Sequence, residues 1–238
     1  AVNKAKCRLM SFGLERGDLQ ARWIKFNHDQ TSFVAYSRGR KLGLFTTQLA
    51  GVHNVKNCLA AMAVALDLGV EILKIKKALL SFQGTSRRFE VVGKAKGVTV
   101  VDDYAHHPTK IRETIAAAKK RFPKSRLFVV YVPHTYSRPK ALFDAYTKAV
   151  VGADFLIIPD IEPARERNLS ALVNSVDLVA AVVRNQKGVF YMSKQEEVID
   201  FIVKEARSGD VVLCASVRGF DDLAQNLVKA LNYGKRKF

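Results

Sequence analysis

Four of the five histidines lie in three short polar segments, which hold much of what could do chemistry in this 238-residue chain. The first is Gly51-Val-His53-Asn54-Val-Lys-Asn57, at the start of an Ala-rich stretch. Amide side chains at a helix start suit a nucleotide base or phosphate, because unpaired N–H groups and the helix dipole favour acceptors there. Asn54 is equally explained as an ordinary N-cap, whereas Asn57, one turn further in, is not needed as one. The second is Asp102-Asp103-Tyr104-Ala105-His106-His107-Pro108. Two carboxylates, a phenol and two imidazoles in six residues are costly to bury unpaired, so they belong in a site. The plain alternative is a polar loop capped by Asp. The third is Pro133-His134-Thr135-Tyr136-Ser137-Arg138, whose arginine suits bidentate grip of a carboxylate, or else sits in solvent at a helix start. A fourth segment, Ser86-Arg87-Arg88-Phe89-Glu90, pairs two arginines for a charged ligand or forms a solvated basic linker.

The elements that must position these segments follow from periodicity. Lys6–Phe12, Leu19–Phe26, Thr31–Ser37 and Leu44–Leu49 read as short strands, mostly rich in β-branched or aromatic residues. A helix is expected over Asn54–Leu68, ended by Gly69, and a second over Glu71–Phe82, with Ile72, Ile75, Leu79 and Phe82 at helical spacing. After the polar break Gln83–Arg88 a domain boundary is placed near residue 90. Beyond it, strands at Val98–Asp102, Leu127–Val132, Asp154–Ile158, Val189–Met192 and Val211–Ala215 alternate with helices. The helices are expected at Pro108–Arg121, Pro139–Val151, Leu169–Val183, Lys194–Ala206 and Asp221–Leu231. Five β-α units with nearly continuous apolar strands predict a Rossmann-like parallel sheet covered on both faces. Ligands bind such sheets beyond the C-terminal strand ends, where the second and third segments fall. If their two strands are neighbours, both loops face one crevice.

Composition narrows the classes. The chain is 48% hydrophobic and 26% charged, as globular domains are. No run of 18 apolar residues suggests a transmembrane helix, so no membrane partner is expected. The opening AVNKAKCRLM lacks an apolar signal-peptide core, and Ala1 in place of Met fits a fragment or a processed chain. Cys7, Cys58 and Cys214, far apart in apolar surroundings, read as buried thiols of a reducing, cytoplasmic compartment. The net charge of +17 raises nucleic acid as a partner. Yet the basic residues are spread out, with dense runs only at Arg38–Lys41 and Lys235–Lys237, so small anionic substrates are preferred.

In this order, G-x-H-N-x-x-N-x-x-A-A-x-A, R-R-F-E, D-D-Y-A-H-H-P and P-H-T-Y-S-R resemble the Mur ligases, over essentially the whole chain. The last two motifs are most similar to the branch that adds L-alanine to UDP-N-acetylmuramate. The resemblance implies residues 1–90 as the end of a central ATPase domain and 91–238 as the C-terminal Rossmann-like domain. It implies ATP-driven formation of an acyl phosphate on a carboxylate, then attack by an amine, in cell-wall precursor synthesis. Carried over by position, His53, Asn57, Arg88 and Asp103 would bind ATP, while Tyr104, His106, His134 and Arg138 would face the amino acid. No single residue stands out as catalytic. The phosphate-loop string G-x-x-G-K-[ST] does not occur, and the ligands for Mg2+ are expected outside the chain, in the N-terminal portion of the same enzyme. The chain alone is therefore expected to be inactive. Two departures stand out: Glu162, in Asp160–Glu166, where the family has Tyr, and Cys214–Asp221, where it has a glycine-rich turn. Other ligases of the superfamily, for murein tripeptide, folate or cyanophycin, and a non-catalytic nucleotide- or nucleic-acid-binding module remain as alternatives.

Overall fold

The computed structural model describes residues 9–27, 30–166, 172–218, 220 and 222–233. They fall into two compact units, Ala1–Gly84 and Thr85–Phe238. The segment 85–90 is thus built into the second unit.

In the first unit, β1 (Phe12–Gly13), β2 (Leu19–Phe26), β3 (Thr31–Ser37) and β4 (Arg40–Thr47) form one sheet in that order, with β1 parallel to β2 and the rest antiparallel. Of the strand expected over Lys6–Phe12, residues 6–8 lie outside the described residues. β4 starts at Arg40 rather than Leu44, because the basic run Arg38–Lys41 is not a patch but a hairpin. Arg38 and Gly39, at φ 47° and 81°, make the two-residue turn whose positive φ values match strand twist. Helix α1 (Val52–Asp67) buries Val55, Cys58, Leu59, Met62 and Ala63, one stripe at helical spacing, against Leu19, Phe33, Ala35 and Phe45. It ends as expected at Gly69, at φ 76°: Gly69 and Val70 N–H donate to Leu66 and Ala65 carbonyls. Helix α2 (Ile72–Ser81) adds Ile75, Ile72 and Leu79 to this core. Phe82 falls past the helix end in extended backbone and is exposed, so it is not part of the apolar stripe.

The second unit is a six-stranded sheet with helices on both faces. Its strands are β5 (Glu90–Ala95), β6 (Val98–Asp103), β7 (Leu127–Tyr131), β8 (Phe155–Ile158), β9 (Val189–Tyr191) and β10 (Val211–Ala215), ordered β5-β6-β10-β7-β8-β9. All pairs are parallel except β5–β6. The antiparallel edge strand β5 escapes the sequence reading because Arg87–Lys94 is polar and irregular. Its signal is the pair Lys96–Gly97, both at positive φ in a two-residue hairpin turn. Strand pleat sends Val100, Phe128, Val130, Ile157, Val212 and Cys214 to one face. There α7 (Gln195–Glu205) and α8 (Leu223–Tyr233) cover them with Val198, Ile202, Leu223 and Leu227. Helices α3 (Pro108–Arg121), α5 (Phe143–Ala149) and α6 (Ser175–Val183) pack in sequence with one another.

Three sequence expectations change here. The helix expected over Pro139–Val151 is broken at Leu142, at φ −120° and ψ 27°, giving a short α4 (Ser137–Ala141) before α5. The helix expected from Leu169 begins at Ser175, where the Asn174 side chain accepts the Asp177 N–H at 2.8 Å; residues 169–171 lie outside the described residues. Finally, β6 and β7 are not neighbours: β10, the last strand in sequence, lies between them.

Candidate functional site

The second and third polar segments leave the C-terminal ends of β6 and β7, with the β10 end between them. Asp102 and Asp103 are not in the loop but in β6 itself, 1% and 3% exposed. Burial pushes both carboxyls above the usual carboxylate range. Each has a structural partner. Arg87 Nε lies 3.0 Å from Asp102 Oδ2, and its two Nη atoms donate to the Val217 and Ser216 carbonyls and to Ser216 Oγ. Asp103 Oδ2 accepts the Phe89 N–H at 2.8 Å, and Thr114 Oγ1 reaches Oδ1 at 3.5 Å. The two carboxylates therefore pin the segment 87–89, in which Arg87 and Phe89 have φ 57° and 52°, a region costly for side chains of their size. Arg88, carried between them, is exposed and lies over the Tyr104 ring at 5.7 Å.

The helix-opening His107 resolves another expectation: His107, not an aspartate, caps α3. Its Nδ1 faces the Thr109 N–H at 3.4 Å, and Pro108 takes the first helical position. His106 turns the other way. Its ring meets Tyr104 edge-on at 5.3 Å and His134 at 6.2 Å, so the two loops converge across the β10 end although their strands are not adjacent. Tyr146 of α5, fully buried, donates its hydroxyl to the His106 carbonyl at 2.6 Å and fixes this loop from below.

In the third segment, His134 forms an isolated parallel bridge with Glu162. The Thr135 N–H donates to the Glu162 carbonyl and the Glu162 N–H to the Pro133 carbonyl, both at 2.8 Å. Thr135 is held at φ 65°, an outlier for a β-branched residue. Burial, with the Arg138 charge close by, lowers both His106 and His134 below the ordinary imidazole range. Both rings are thus neutral at neutral pH. His134 Nδ1 and Arg138 Nη1 are buried and have no hydrogen-bond partner. An unpaired buried donor or acceptor costs about 1–3 kcal/mol, which a ligand filling this place would recover.

Of the expected site residues, Arg88, Tyr104, His106, His134 and Arg138 thus form one chain of contacts or charges in the second unit. Asp103 has its oxygens engaged inside the protein. His53 and Asn57 belong to the first unit, on the first turns of α1. The helix there is opened by Gly51, at φ 91°, and not by Asn54, whose Nδ2 reaches back to the Ala50 carbonyl at 2.8 Å. Asn57 is exposed, with Nδ2 on Asn54 Oδ1 at 3.1 Å. Sequence reasoning missed the anchoring partners Ser216, Tyr146 and Glu166, because each acts from a distant element. The divergent Cys214–Asp221 turn holds Arg87 through Ser216 and Val217; Gly219 and Asp221 lie outside the described residues. Cys58 and Cys214 are buried free thiols, and Cys7 lies outside the described residues.

Comparison with known proteins gives the following. Residues 87–218 match the Mur ligase glutamate ligase domain and residues 1–65 the Mur ligase middle domain. A UDP-N-acetylmuramate–L-alanine ligase from Caldanaerobacter subterraneus is 41% identical over 86% of this chain and 45% of its own length. One from Trichlorobacter lovleyi is 36% identical over 97% of this chain and 51% of its own. The crystal structure of the corresponding Thermotoga maritima ligase superposes with a TM-score of 0.79 at 21% identity, covering 92% of this chain and 47% of that one, a likeness of fold. The chain spans about half the length of the curated relatives it matches.

Proposed function

The chain belongs to the Mur ligase family, and from that premise we propose that it is the adenine- and amine-facing portion of an ATP-dependent ligase joining L-alanine to UDP-N-acetylmuramate in peptidoglycan precursor synthesis. The observation that carries this reading is the converging set Tyr104, His106, His134 and Arg138. In it a buried guanidinium nitrogen and a buried imidazole nitrogen both lack partners. A guanidinium in that position suits the carboxylate of an amino acid. A neutral imidazole beside it suits the amine, which must lose a proton before its lone pair can attack.

The reaction on this reading has two steps. The carboxylate of UDP-N-acetylmuramate takes the γ-phosphoryl group of ATP and becomes an acyl phosphate. The L-alanine nitrogen then bonds to the acyl carbon, the C–O bond to phosphate breaks, and phosphate departs with the electron pair. What these residues contribute is position and charge. Arg138 orients the amino acid, His106 and His134 line its approach, and Arg88 on Tyr104 supplies a cation for ATP. Asp103 acts through the 87–89 backbone that carries Arg88. Asn57 and His53 offer amide and imidazole edges for adenine. Among the described residues no group of three His, Cys, Asp or Glu side chains could hold a metal ion. No helix among the described residues is long and apolar enough to cross a membrane. Buried free thiols fit a cytoplasmic setting.

The test is release of phosphate from ATP with UDP-N-acetylmuramate and L-alanine by the full-length protein that contains this sequence, with this chain alone expected to be inactive. Arg138→Ala should raise the KM for L-alanine roughly 30–150-fold, equivalent to about 2–3 kcal/mol of lost carboxylate binding. An unchanged KM refutes the role given to Arg138. Preference for another amine or carboxylate would move the protein to a different ligase of the superfamily.

A further inference from the structure

The helix that carries Arg138 does not cap itself. α4 has five residues, its N-cap is Tyr136 in helical backbone, and no side chain of that residue accepts from the first turn. The amides of Tyr136 and Ser137 would be left open, as helix starts are unless something accepts from them. The acceptor comes from elsewhere. Glu166 Oε2 takes the Tyr136 N–H and the Ser137 N–H, both at 2.8 Å, and Oε1 takes the Ser137 hydroxyl at 2.6 Å.

Glu166 is itself held. Its own N–H closes a turn onto the Pro163 carbonyl at 2.8 Å, past Ala164 at φ 51°, and Ala164 N–H reaches Glu162 Oε1 at 3.3 Å. Four residues earlier, Glu162 exchanges two backbone hydrogen bonds with the Pro133–Thr135 backbone around His134. The segment Glu162–Glu166 therefore grips the third polar loop twice: once at His134 by backbone pairing, and once at the start of α4 by the Glu166 carboxylate. Between the grips lies Thr135, whose positive φ is unfavourable and needs both neighbours fixed. The Ser137 hydrogen bonds hold the Glu166 carboxyl below its usual range, which favours the charged carboxylate that accepts them.

We infer that Glu166 is a positioning residue for the amino-acid site: by capping α4 from a separate loop it fixes the direction in which Arg138 presents its guanidinium. The inference rests on the ligase reading above and deepens it, because it names the part of the fold that sets the Arg138 clamp. The Glu166 carboxylate is spent on Tyr136 and Ser137, so it acts through the helix start. Losing it leaves Arg138 present but free to swing with an uncapped helix start. The effect belongs in the affinity for the amino acid and not in that for ATP.

Two measurements test this. In the chain itself, amide hydrogen exchange at Tyr136 and Ser137 should quicken at least tenfold in Glu166→Ala, with the strands β6, β7 and β10 unchanged. In the full-length ligase, Glu166→Ala should raise the L-alanine KM about tenfold, the worth of one well-made interaction, and leave the ATP KM within about twofold. Glu166→Gln should restore most of the loss, since its carbonyl oxygen can accept both amides and its Nε2 can donate to Ser137 Oγ. In an Arg138→Ala background, Glu166→Ala should add little, because the two act on the same contact. Unchanged exchange at Tyr136 and Ser137 overturns the inference. So does an unmoved L-alanine KM in Glu166→Ala while Arg138→Ala raises it. So does an equal rise in both KM values, which marks a merely structural residue. If instead Arg138→Ala itself leaves the L-alanine KM unchanged, the ligase-site reading fails, and the substrate part of this inference falls with it. The exchange result then still decides whether Glu166 holds the helix start.

Discussion

At the scale of single residues, the site is a place where two imidazoles are kept uncharged beside a fixed cation. His106 and His134 lie below the ordinary value of 6.5 because burial disfavours the charged ring and Arg138 adds repulsion. The unfolded chain therefore binds more protons than the folded one between the lowered values and 6.5. Stability rises with pH across that window and is lost as pH falls through it. The buried Asp102 and Asp103 have the opposite sign, since their raised values start from 3.8 and the folded state there binds more protons. The expected outcome is a urea midpoint that drops from pH 7 to pH 5.5 in the wild type. A His106→Gln, His134→Gln double variant should show a flatter dependence. An identical slope in the two proteins would show that these rings do not titrate differently on folding. The same residues were legible in the sequence because Asp, His, Tyr and Arg cluster within a few positions. What was not legible is which of them have atoms engaged inside the protein: Asp102 and Asp103 sit in a strand and spend oxygens on Arg87, Phe89 and Thr114.

At the scale of elements, a partly buried ion pair helps to fasten the segment 85–90, beside the Phe89–Asp103 hydrogen bond. Arg87 and Asp102 are 21% and 2% exposed in their side chains, and the guanidinium also holds the turn after β10. Removing one partner of such a pair leaves an uncompensated buried charge, at a cost of about 3–5 kcal/mol. Asp102→Ala should therefore lower unfolding free energy by that order. Asp102→Asn, whose amide oxygen still accepts from Arg87 Nε, should lose clearly less. Equal losses in urea melts would mean that the pair contributes by packing alone. This fastening explains why a boundary drawn near residue 90 from composition differs from the division at Gly84/Thr85. The polar run Gln83–Arg88 looks like a linker, but Arg87 finds acceptors more than a hundred residues away. Helices with a full apolar stripe, such as α1 and α3, were readable from periodicity. The short α4 and the edge strand β5 were not, because one depends on a carboxylate from another loop and the other on a two-residue turn.

At the scale of the whole molecule, the converging set Tyr104, His106, His134 and Arg138 is held by contacts within residues 85–233. The central strands β6, β10 and β7 pair only with strands of that unit. A polypeptide of residues 85–238 is expected to fold by itself with one cooperative transition and a stability of about 5–15 kcal/mol, typical of domains. Dispersed amide resonances and a sigmoidal urea curve would bear this out; collapsed resonances or a gradual curve would show that it needs the first unit. Several of the arginines are also paired with carboxylates of the same chain. Arg87 pairs with Asp102 and Arg126 with Asp210, while Arg38 bonds Asp18 beside a hairpin turn, so these residues do not form a phosphate-binding stripe.

The sequence by itself determined the family, the alternation of strands and helices, and the polar segments of the candidate site, since each rests on residues close together along the chain. Periodicity and short motifs are local, and burial of an apolar stripe or a parallel strand follows from them directly. The tertiary structure alone decided that β10 slides between β6 and β7, and that the loops after those strands nevertheless meet at His106 and His134. It also decided which polar groups are spent internally and which are left open. The physical reason is that hydrogen-bond satisfaction is non-local: whether Arg87 or Asp103 has a nitrogen or oxygen to spare depends on Ser216 and Phe89 arriving from other parts of the chain.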